Sequence, residues 1–379
     1  MNTTSSFELK KSEISICVRL RPIIQEDYIQ EGAKVQSKVD LCVQVKRDGQ
    51  SIKLTRDLHH EKTFKVDHAF DSSVSQQEIY DLSFKPIVRD VLKGYNGTGM
   101  VYGQSGSGKT YTMFGSDNGD KVCGLAHLSL EQIFQAVVEH EKRELVARVF
   151  ISFYQIYIDQ IYDLLLDAET NKQLIIPNLQ IREDSQRGIY IDNLRHLYVK
   201  NRDIALQIIS QGLKNRHVQS TYQNIRSSRS HAILQFHLDF EEPNEENESF
   251  DIQSPDRNNL IEKKYTMRRR TLTLVDLAGS ERPQSYKFTS KRHFQEACQI
   301  NKSIAALGNC IHALCNNSQE PTNGLSSNNS VHIPYRDTKL TRLLAESLGG
   351  NCKTSIIATI CPCLKNYTEN NSTLIFASR

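Results

Sequence analysis

Long apolar runs are absent from this chain of 379 residues. No stretch of 18 or more apolar residues occurs, so we expect no membrane-spanning helix and no membrane insertion. The first 15 residues are polar and lack the apolar segment of a secretory signal. A charge excess is also lacking, because 47 Lys and Arg oppose 44 Asp and Glu. The net charge of +3 argues against a nucleic-acid partner but allows a local basic face.

Closely spaced cysteines are nearly absent. Among nine cysteines, only Cys361 and Cys363 are near neighbours, and a single C-x-C without a second Cys or His cluster is a poor zinc site. We interpret the cysteines as small buried apolar residues in a reducing compartment. The chain has 38% hydrophobic and 24% charged residues, a globular composition that excludes a mainly disordered protein.

The spacing of apolar residues predicts alternating strands and helices. Period-two alternation or a β-branched composition predicts strands over 14–20, 150–157, 234–240, 272–275 and 354–360. Helical spacing predicts helices over 78–93, 294–314 and 337–348. The acidic segment 241–259 predicts a hairpin with a long charged tip, which we interpret as a solubilising loop. This alternation indicates an α/β layer architecture.

One segment has the pattern G-x-x-x-x-G-K-[ST] of a phosphate-binding loop. It reads Gly103-Gln104-Ser105-Gly106-Ser107-Gly108-Lys109-Thr110. Glycines allow successive backbone N–H groups to face phosphate oxygens, Lys109 places a positive charge at the β- and γ-phosphates, and Thr110 offers a hydroxyl to Mg²⁺. The segment therefore predicts a nucleoside triphosphate site.

Two further segments contain groups that a nucleotide hydrolase requires. Asp276 ends an apolar strand, where a carboxylate can reach a metal ion through water, and Gly279 lets its N–H approach a γ-phosphate. Four polar residues suited to a loop over a phosphate lie within six positions: Asn224, Ser227, Ser228 and Arg229. Taken alone, the segment with Asp276 and Gly279 is also compatible with a strand end followed by a turn. The segment 224–229, taken alone, is compatible with a serine-rich surface turn.

Together, the three segments resemble the nucleotide motifs of the kinesin motor domain, in the family's order. They are 103–110, 227–231 and 276–282. Other segments resemble the family's adenine-side segment, its switch II helix, its microtubule-facing loop and helix, and its final helix: 19–22, 301–303 with 306–309, 332–344 and 373–377. The chain is therefore identified as a member of the kinesin family.

The resemblance implies a single α/β P-loop NTPase motor domain over residues 13–379, preceded by a short extension of residues 1–12. Its expected fold is a central mixed sheet of eight strands with three helices on each face. Its expected activity is ATP hydrolysis coupled to movement along microtubules in the cytoplasm, with ATP or ADP and Mg²⁺ bound. A homodimer is expected only through neck and tail regions that are not among these residues.

The resemblance also implies a role for each matching residue of the nucleotide site. Residues 103–110 hold the phosphates, and Mg²⁺ is bound by Thr110, by Ser228 and, through water, by Asp276. The γ-phosphate lies near Asn224, Ser227 and Gly279. The resemblance implies that Arg229 and Glu281 form an ion pair that closes the site, and that Glu281 relays a proton from the attacking water. The alternative is a surface ion pair that contributes little to stability. The adenine side is formed by Arg19, Arg21, Pro22 and Tyr111.

A basic face is the expected contact with the acidic tubulin surface. Its residues are Lys287, Lys291 and Arg292 near the start of the helix over 294–314, and Arg336, Lys339 and Arg342 on and before the helix over 337–348. Without the resemblance, such a stripe would be an ordinary solvated helix face. The resemblance favours a microtubule contact that weakens with salt.

Three other classes of protein are alternatives for these residues. A guanine-nucleotide switch protein requires the base-recognition sequence N-K-x-D, whereas residues 301–304 lack the acidic residue. A myosin-like motor would have different residues at 230–231 and 280–281. A motor-like fold that binds microtubules without hydrolysing ATP is the third alternative. Gln155, Ile158 and the pair 225–226 depart from the family's usual pattern, and the sequence does not assign a subfamily or a direction of movement.

Overall fold

The computed structural model describes residues 14–28, 39–57, 59–116, 122–166, 178–185, 188–222, 227–243, 265–282, 291–318, 331–350 and 352–378. Within these ranges, side chains are described everywhere except at 218–222, 227, 243, 291–293 and 318. The predicted extension 1–12 and the tip of the predicted hairpin lie outside the described residues.

The strands of the described residues form one large sheet and three small ones. In chain order they are β1 (Ile14–Leu20), β2 (Val43–Val45), β3 (Ser51–Asp57), β4 (His60–Lys65), β5 (His68–Phe70), β6 (Asn96–Tyr102), β7 (Gly115–Ser116), β8 (Val122–Cys123), β9 (Ala147–Tyr157), β10 (Gln160–Asp163), β11 (Ile181–Asp184), β12 (Gly188–Ile191), β13 (Leu197–Val199), β14 (His231–Pro243), β15 (Tyr265–Asp276) and β16 (Cys352–Ile360). The small sheets are β2-β3-β4, β7-β8 and β11-β12.

The large sheet is mixed and lies at the centre of the molecule. Eight strands follow the order β10-β9-β14-β15-β6-β16-β1-β5, and β13 pairs with the first part of β9. Neighbours from β15 to β5 are parallel, whereas β14, β9 and β10 pair in antiparallel fashion. Because β6 and β15 are parallel neighbours, the segments that follow them leave the same edge of the sheet, where α/β proteins bind ligands.

The helices cover both faces of this sheet. They are α1 (Gln76–Ser83), α2 (Lys85–Leu92), α3 (Lys109–Phe114), α4 (Leu125–Glu141), α5 (Arg202–Tyr222), α6 (Lys291–Ser318), α7 (Lys339–Leu343), α8 (Ala345–Gly349) and α9 (Tyr367–Ala377). One face carries the broken helix α1–α2, the pair α3 and α4 separated by the β7–β8 hairpin, and α5; the other carries α6, the broken helix α7–α8, and α9. None of the described helices is both long and apolar enough to cross a membrane.

Alternating residues of the central strands enter two separate cores. Val101 and Phe153 pack with the α1–α5 layer, while their neighbours Met100 and Tyr154 pack with the α6–α9 layer. Both neighbours in each pair are buried because the sheet is covered on both sides, which explains why these strands are apolar throughout. The divided helices α1–α2, α3 with α4, and α7–α8 each count as one, which gives three helices on each face of the eight-strand path. The expected motor fold is therefore confirmed.

The predicted elements are confirmed, with two interruptions. All five predicted strands are present, and the helix predicted over 294–314 extends to 291–318. The helix predicted over 78–93 divides at Phe84, because Pro86 has no N–H to donate and is tolerated in the first turn of a new helix. The helix predicted over 337–348 divides at Leu344, although Leu344 N still donates to Leu340 O.

The cysteines are only partly as predicted. Six of the nine are buried, but Cys123 and Cys298 are exposed and Cys315 is intermediate. Burial raises the pKa of the Cys17 thiol to about 12 and that of the Cys42 thiol to about 11, so these groups stay protonated at neutral pH.

Candidate nucleotide-binding site

The phosphate loop requires glycine at several positions. Gly103, Gly106 and Gly108 have φ angles of +147°, +77° and +97°, values that side chains rarely allow. A Cβ atom on Gly103 would lie 2.3 Å from the backbone oxygen of Thr359. The loop therefore turns tightly between β6 and α3, and α3 begins directly at Lys109.

Lys109 places a buried charge inside this loop. Its Nζ donates to the Gln104 carbonyl oxygen at 2.8 Å, which holds the ammonium against the backbone. Burial lowers the pKa of Lys109, and the nearby carboxylates of Asp276 and Glu281 oppose part of that change. An incoming phosphate would supply the negative charge that such a buried ammonium favours.

Asp276 joins the phosphate loop to the end of β15. It pairs in parallel register with Val101, and its Oδ2 accepts a hydrogen bond of 2.8 Å from the Thr110 hydroxyl. The same oxygen lies 2.7 Å from Nη1 of Arg216, and both side chains are almost completely buried. The other carboxylate oxygen, Oδ1, is buried and has no hydrogen-bond partner among the described residues. A buried oxygen of this kind is available to a water molecule of a metal ion.

Glu281 lies against the phosphate loop. Its Oε2 accepts a hydrogen bond of 2.7 Å from the Ser105 backbone N–H, and its Oε1 accepts a short hydrogen bond from the Ser105 hydroxyl. A carboxylate thus lies on an amide of the loop expected to bind phosphate. A Cβ on Gly279 would lie 2.3 Å from Glu281 Oε2, so a side chain at this position would displace the Glu281 carboxylate.

Backbone hydrogen bonds connect the three nucleotide segments. Gly279 N donates to Ser228 O at 2.8 Å, and Ser280 N donates to Gly103 O at 3.1 Å. These bonds bring together segments predicted from widely separated parts of the sequence. Asn224 lies outside the described residues, and nothing is described of the Ser227 side chain.

Arg229 has a different partner from the predicted Glu281. Its Nη1 lies 2.7 Å from Oε2 of Glu296, a buried residue of α6. In this arrangement Arg229 contacts α6, while Glu281 contacts the phosphate loop. The interpretation of Arg229 and Glu281 as an ion pair is therefore not the arrangement of this structure.

His231 is the last residue of the segment 227–231, and its sequence context predicted no role for it. Its Nδ1 accepts from the Ala278 backbone N–H at 3.1 Å, so in the neutral ring Nε2 donates to Ser303 Oγ at 2.8 Å. The Ser303 hydroxyl in turn donates to Ile300 O at 2.6 Å. Burial, then two nearby cations, lowers the pKa of His231 to about 3, so this connection between β14, the segment after β15 and α6 stays neutral.

Arg216 and Glu296 are the other residues that sequence reasoning missed. Each lies within a helix, 60 and 67 positions respectively from its partner. The only available signal was a charged residue on the inward side of an amphipathic helix, and that signal does not identify the partner.

The adenine-side residues form two hydrogen-bonded groups. Arg19 donates to Gln76 Oε1 at 2.6 Å and to Thr112 Oγ1 at 2.8 Å, and its guanidinium lies 5.3 Å from the centre of the Tyr111 ring. These contacts hold Arg19 beside an aromatic face that remains partly exposed. The arrangement provides a surface on which a planar base can stack.

Arg21 supports the phosphate loop itself. Its Nε donates to Gly106 O at 2.8 Å, and its Nη atoms donate to both oxygens of Asp27 and to the Pro22 carbonyl. Burial would raise the pKa of Asp27, but hydrogen bonds from Arg21 and from the Ile24 amide lower it below its usual range. We therefore find Arg21 under the loop, holding its backbone.

The predicted basic face is described only in part. Lys287 lies outside the described residues, and the side chains of Lys291 and Arg292 are not described. In the second group of this face, Arg336 is exposed, whereas Lys339 and Arg342 are partly buried. Three leucines of the same segment, Leu340, Leu344 and Leu348, are buried in the core.

Comparisons with known proteins agree on one family. The model of the kinesin motor domain family matches residues 19–379. The kinesin-1 heavy chain of Homo sapiens is 34% identical over 98% of this chain and 33% of its own length. The kinesin-like protein KIN-UA of Oryza sativa subsp. japonica is 35% identical over 96% of this chain and 35% of its own length.

A solved structure is also similar. It is that of a fast kinesin, studied for its ATPase mechanism and its interactions with microtubules, with a TM-score of 0.77 and 32% identity. The match covers 97% of this chain and 91% of that chain. The present chain spans about a third of the length of the curated relatives cited above.

Proposed function

Because this chain belongs to the kinesin motor domain family, we propose that it is a microtubule-dependent motor ATPase of the cytoplasmic cytoskeleton. The observation that supports this best is the convergence of the phosphate loop, Asp276 and Glu281 at one edge of the sheet. Glu281 and Ser105 are 176 positions apart in the sequence, yet they share two hydrogen bonds. Phosphoryl transfer depends mainly on such positioning and on electrostatic stabilisation.

The residues of the site fit ATP or ADP together with Mg²⁺. Within the part of the chain that the structure describes, buried Asp276 Oδ1 has no hydrogen-bond partner. The Thr110 hydroxyl lies 2.8 Å from Oδ2, so oxygen ligands suited to a hard cation lie together. We expect Thr110 and Ser228 to bind the ion directly and Asp276 to hold it through water. Bound Mg²⁺ would neutralise charge on the phosphate oxygens. Lys109 and the amides of residues 103–108 would hold the phosphates.

The Glu281 carboxylate must occupy two different positions during turnover, one against Ser105 and one where it can accept a proton. Its carboxylate now accepts from the Ser105 amide, a donor that the phosphate loop would offer to a phosphate oxygen. Nucleotide binding therefore requires Glu281 to leave Ser105. Once released, this carboxylate can accept a proton by way of the attacking water.

A route from this site to α6 is present in the hydrogen bonds. Asn301 Nδ2 donates to Glu281 O at 3.1 Å, and the backbone N–H of Ala278 donates to His231, which contacts Ser303. Arg229 contacts Glu296 of the same helix. A displacement of residues 277–281 on nucleotide binding or hydrolysis would therefore act on α6 directly, which is how a local switch produces movement elsewhere.

Phosphate release from ATP, with and without microtubules, tests this function. We expect turnover to rise with microtubules, and Glu281→Ala to retain ATP binding while losing at least about a hundredfold in turnover, the scale of a lost proton-transfer group. Ser105→Ala is the matched control, because it removes the hydroxyl contact with Glu281 but keeps the backbone amide.

Three results would contradict the proposal. If the unaltered chain bound microtubules but did not hydrolyse ATP in their presence, the non-catalytic alternative would be favoured. Absence of microtubule binding would exclude a microtubule motor. Steady-state turnover at the unaltered rate in Glu281→Ala would remove Glu281 from the reaction.

A further inference from the structure

Two arginines of the predicted microtubule face already have an acidic partner within this chain. Arg342 Nη2 lies 3.1 Å from Glu183 Oε2, and Arg336 Nη2 lies 3.7 Å from the same oxygen. Glu183 lies on β11, in the small β11–β12 hairpin, and is 159 positions from Arg342 in the sequence. One carboxylate oxygen is thus shared by two guanidinium groups; we call these three residues the Glu183 cluster.

The Glu183 cluster is open to a partner. The side chains of Glu183, Arg336 and Arg342 are 46%, 82% and 33% exposed, so an approaching surface can reach all three. Ion pairs at this exposure are weak, because water competes for both charges. The two arginines can therefore exchange Glu183 for another carboxylate at little cost.

The helix that carries Arg342 is held in place without Glu183. The Asp159 carboxylate accepts from the Lys339 backbone N–H at 2.8 Å, and the Thr338 hydroxyl accepts from Thr341 N at the start of α7. Leu340 is fully buried beneath the same helix. Removing the Glu183 charge should therefore leave the arginines where they are and should change mainly their electrostatic surroundings.

We propose that Glu183 is an intramolecular competitor for the acidic microtubule surface, and that it limits the affinity of this chain for microtubules. Glu183 presents to the arginines the same chemical group that an acidic filament surface would present. It also repels that surface through its own negative charge. Binding must replace or share the contacts of Glu183, so the cluster offsets part of the attraction. This inference rests on the proposed function, since the partner is the microtubule.

Microtubule cosedimentation of the whole chain with Glu183→Gln tests the proposal. At low ionic strength we expect affinity to increase about two- to fivefold, the range for one exposed ion pair. The increase should disappear as salt is raised beyond a few hundred millimolar, where such charges are screened. The matched control is Asp184→Asn, which removes the same charge one position away on the other face of the strand and should change affinity less.

A double-mutant cycle with Arg342→Ala identifies the contact. We expect the effect of Glu183→Gln to fall by at least half in the Arg342→Ala background, because the pair that it breaks is then already gone. If Arg342→Ala binds too weakly to measure, the comparison of Glu183→Gln with Asp184→Asn decides. Equal affinity of Glu183→Gln and the unaltered chain, or an increase matched by Asp184→Asn, would overturn the proposal while leaving the motor function intact. Absence of microtubule binding by the unaltered chain would overturn both.

Discussion

The buried ion pair between Arg216 and Asp276 makes a sharp prediction possible. Arg216 Nη1 lies 2.7 Å from Asp276 Oδ2, and its Nη2 donates to Ser230 O at 2.8 Å. The two side chains are 2% and 1% exposed. Replacing Arg216 with methionine keeps much of the volume but leaves a buried carboxylate that has lost its nearest cation.

The expected cost can be estimated from this burial. Breaking a buried ion pair by removing one partner destabilises a protein by about 3–5 kcal/mol. For a chain of 379 residues, the entropy of unfolding corresponds to a decrease in melting temperature of about 4–6 °C. Arg216→Met together with Asp276→Asn removes both charges, so we expect the pair of changes to cost less than the sum of the two single changes, with a coupling of about 1–3 kcal/mol.

Thermal unfolding followed by circular dichroism, without nucleotide, measures these values. The single variants and the double variant are compared at one pH and one salt concentration. A melting temperature of Arg216→Met within 1 °C of the unaltered chain, or a double variant whose loss is the simple sum, would refute the assignment of a coupled buried pair.

Two further predictions concern backbone space and pH. Gly103→Ala would place its Cβ 2.3 Å from Thr359 O. We therefore expect about a 5- to 150-fold loss of fluorescent-nucleotide affinity, corresponding to about 1–3 kcal/mol of strain. Gly106→Ala should lose less, because no atom of the described residues lies within 4 Å of its Cβ. Burial lowers the pKa of both His231 and His237 to about 3, so below pH 6.5 the unfolded chain binds protons that the folded chain does not. Stability should therefore fall from pH 6.5 towards pH 3, and His237→Gln should reduce that slope by about 1.4 kcal/mol per pH unit in urea unfolding; an unchanged slope would contradict a neutral buried His237.

Periodicity and the glycine-lysine pattern were sufficient for much of the fold and site. The helix over 294–314 was predictable because its apolar residues lie on one face, and residues 103–110 were predictable because their residue types are fixed by phosphate chemistry. Such features are local, so a short stretch of sequence contains all the information that they need.

The partners of charged residues were not predictable in the same way. Arg229 could in principle pair with Glu281 or with Glu296, and only the packing of α6 against the segment 227–229 decides between them. Arg216 gave no local sign that it would reach Asp276, because the contact depends on how α5 crosses the sheet. The break at Phe84 was signalled by Pro86, whereas nothing in the structure explains why the helix over 337–348 divides at Leu344.

The hairpin of β14 and β15 has a consequence for where this chain can accept change. Asp276 pairs with Ala232 at one end of the hairpin, and Pro243 pairs with Tyr265 at the other, eleven steps away in the register. At about 3.4 Å per residue, these ends are roughly 35–40 Å apart. Insertions, deletions or labels between Pro243 and Tyr265 are therefore connected to the sheet at the end of the hairpin that is farther from Asp276 and the phosphate loop. This makes that stretch the natural place for a tag or a fluorophore.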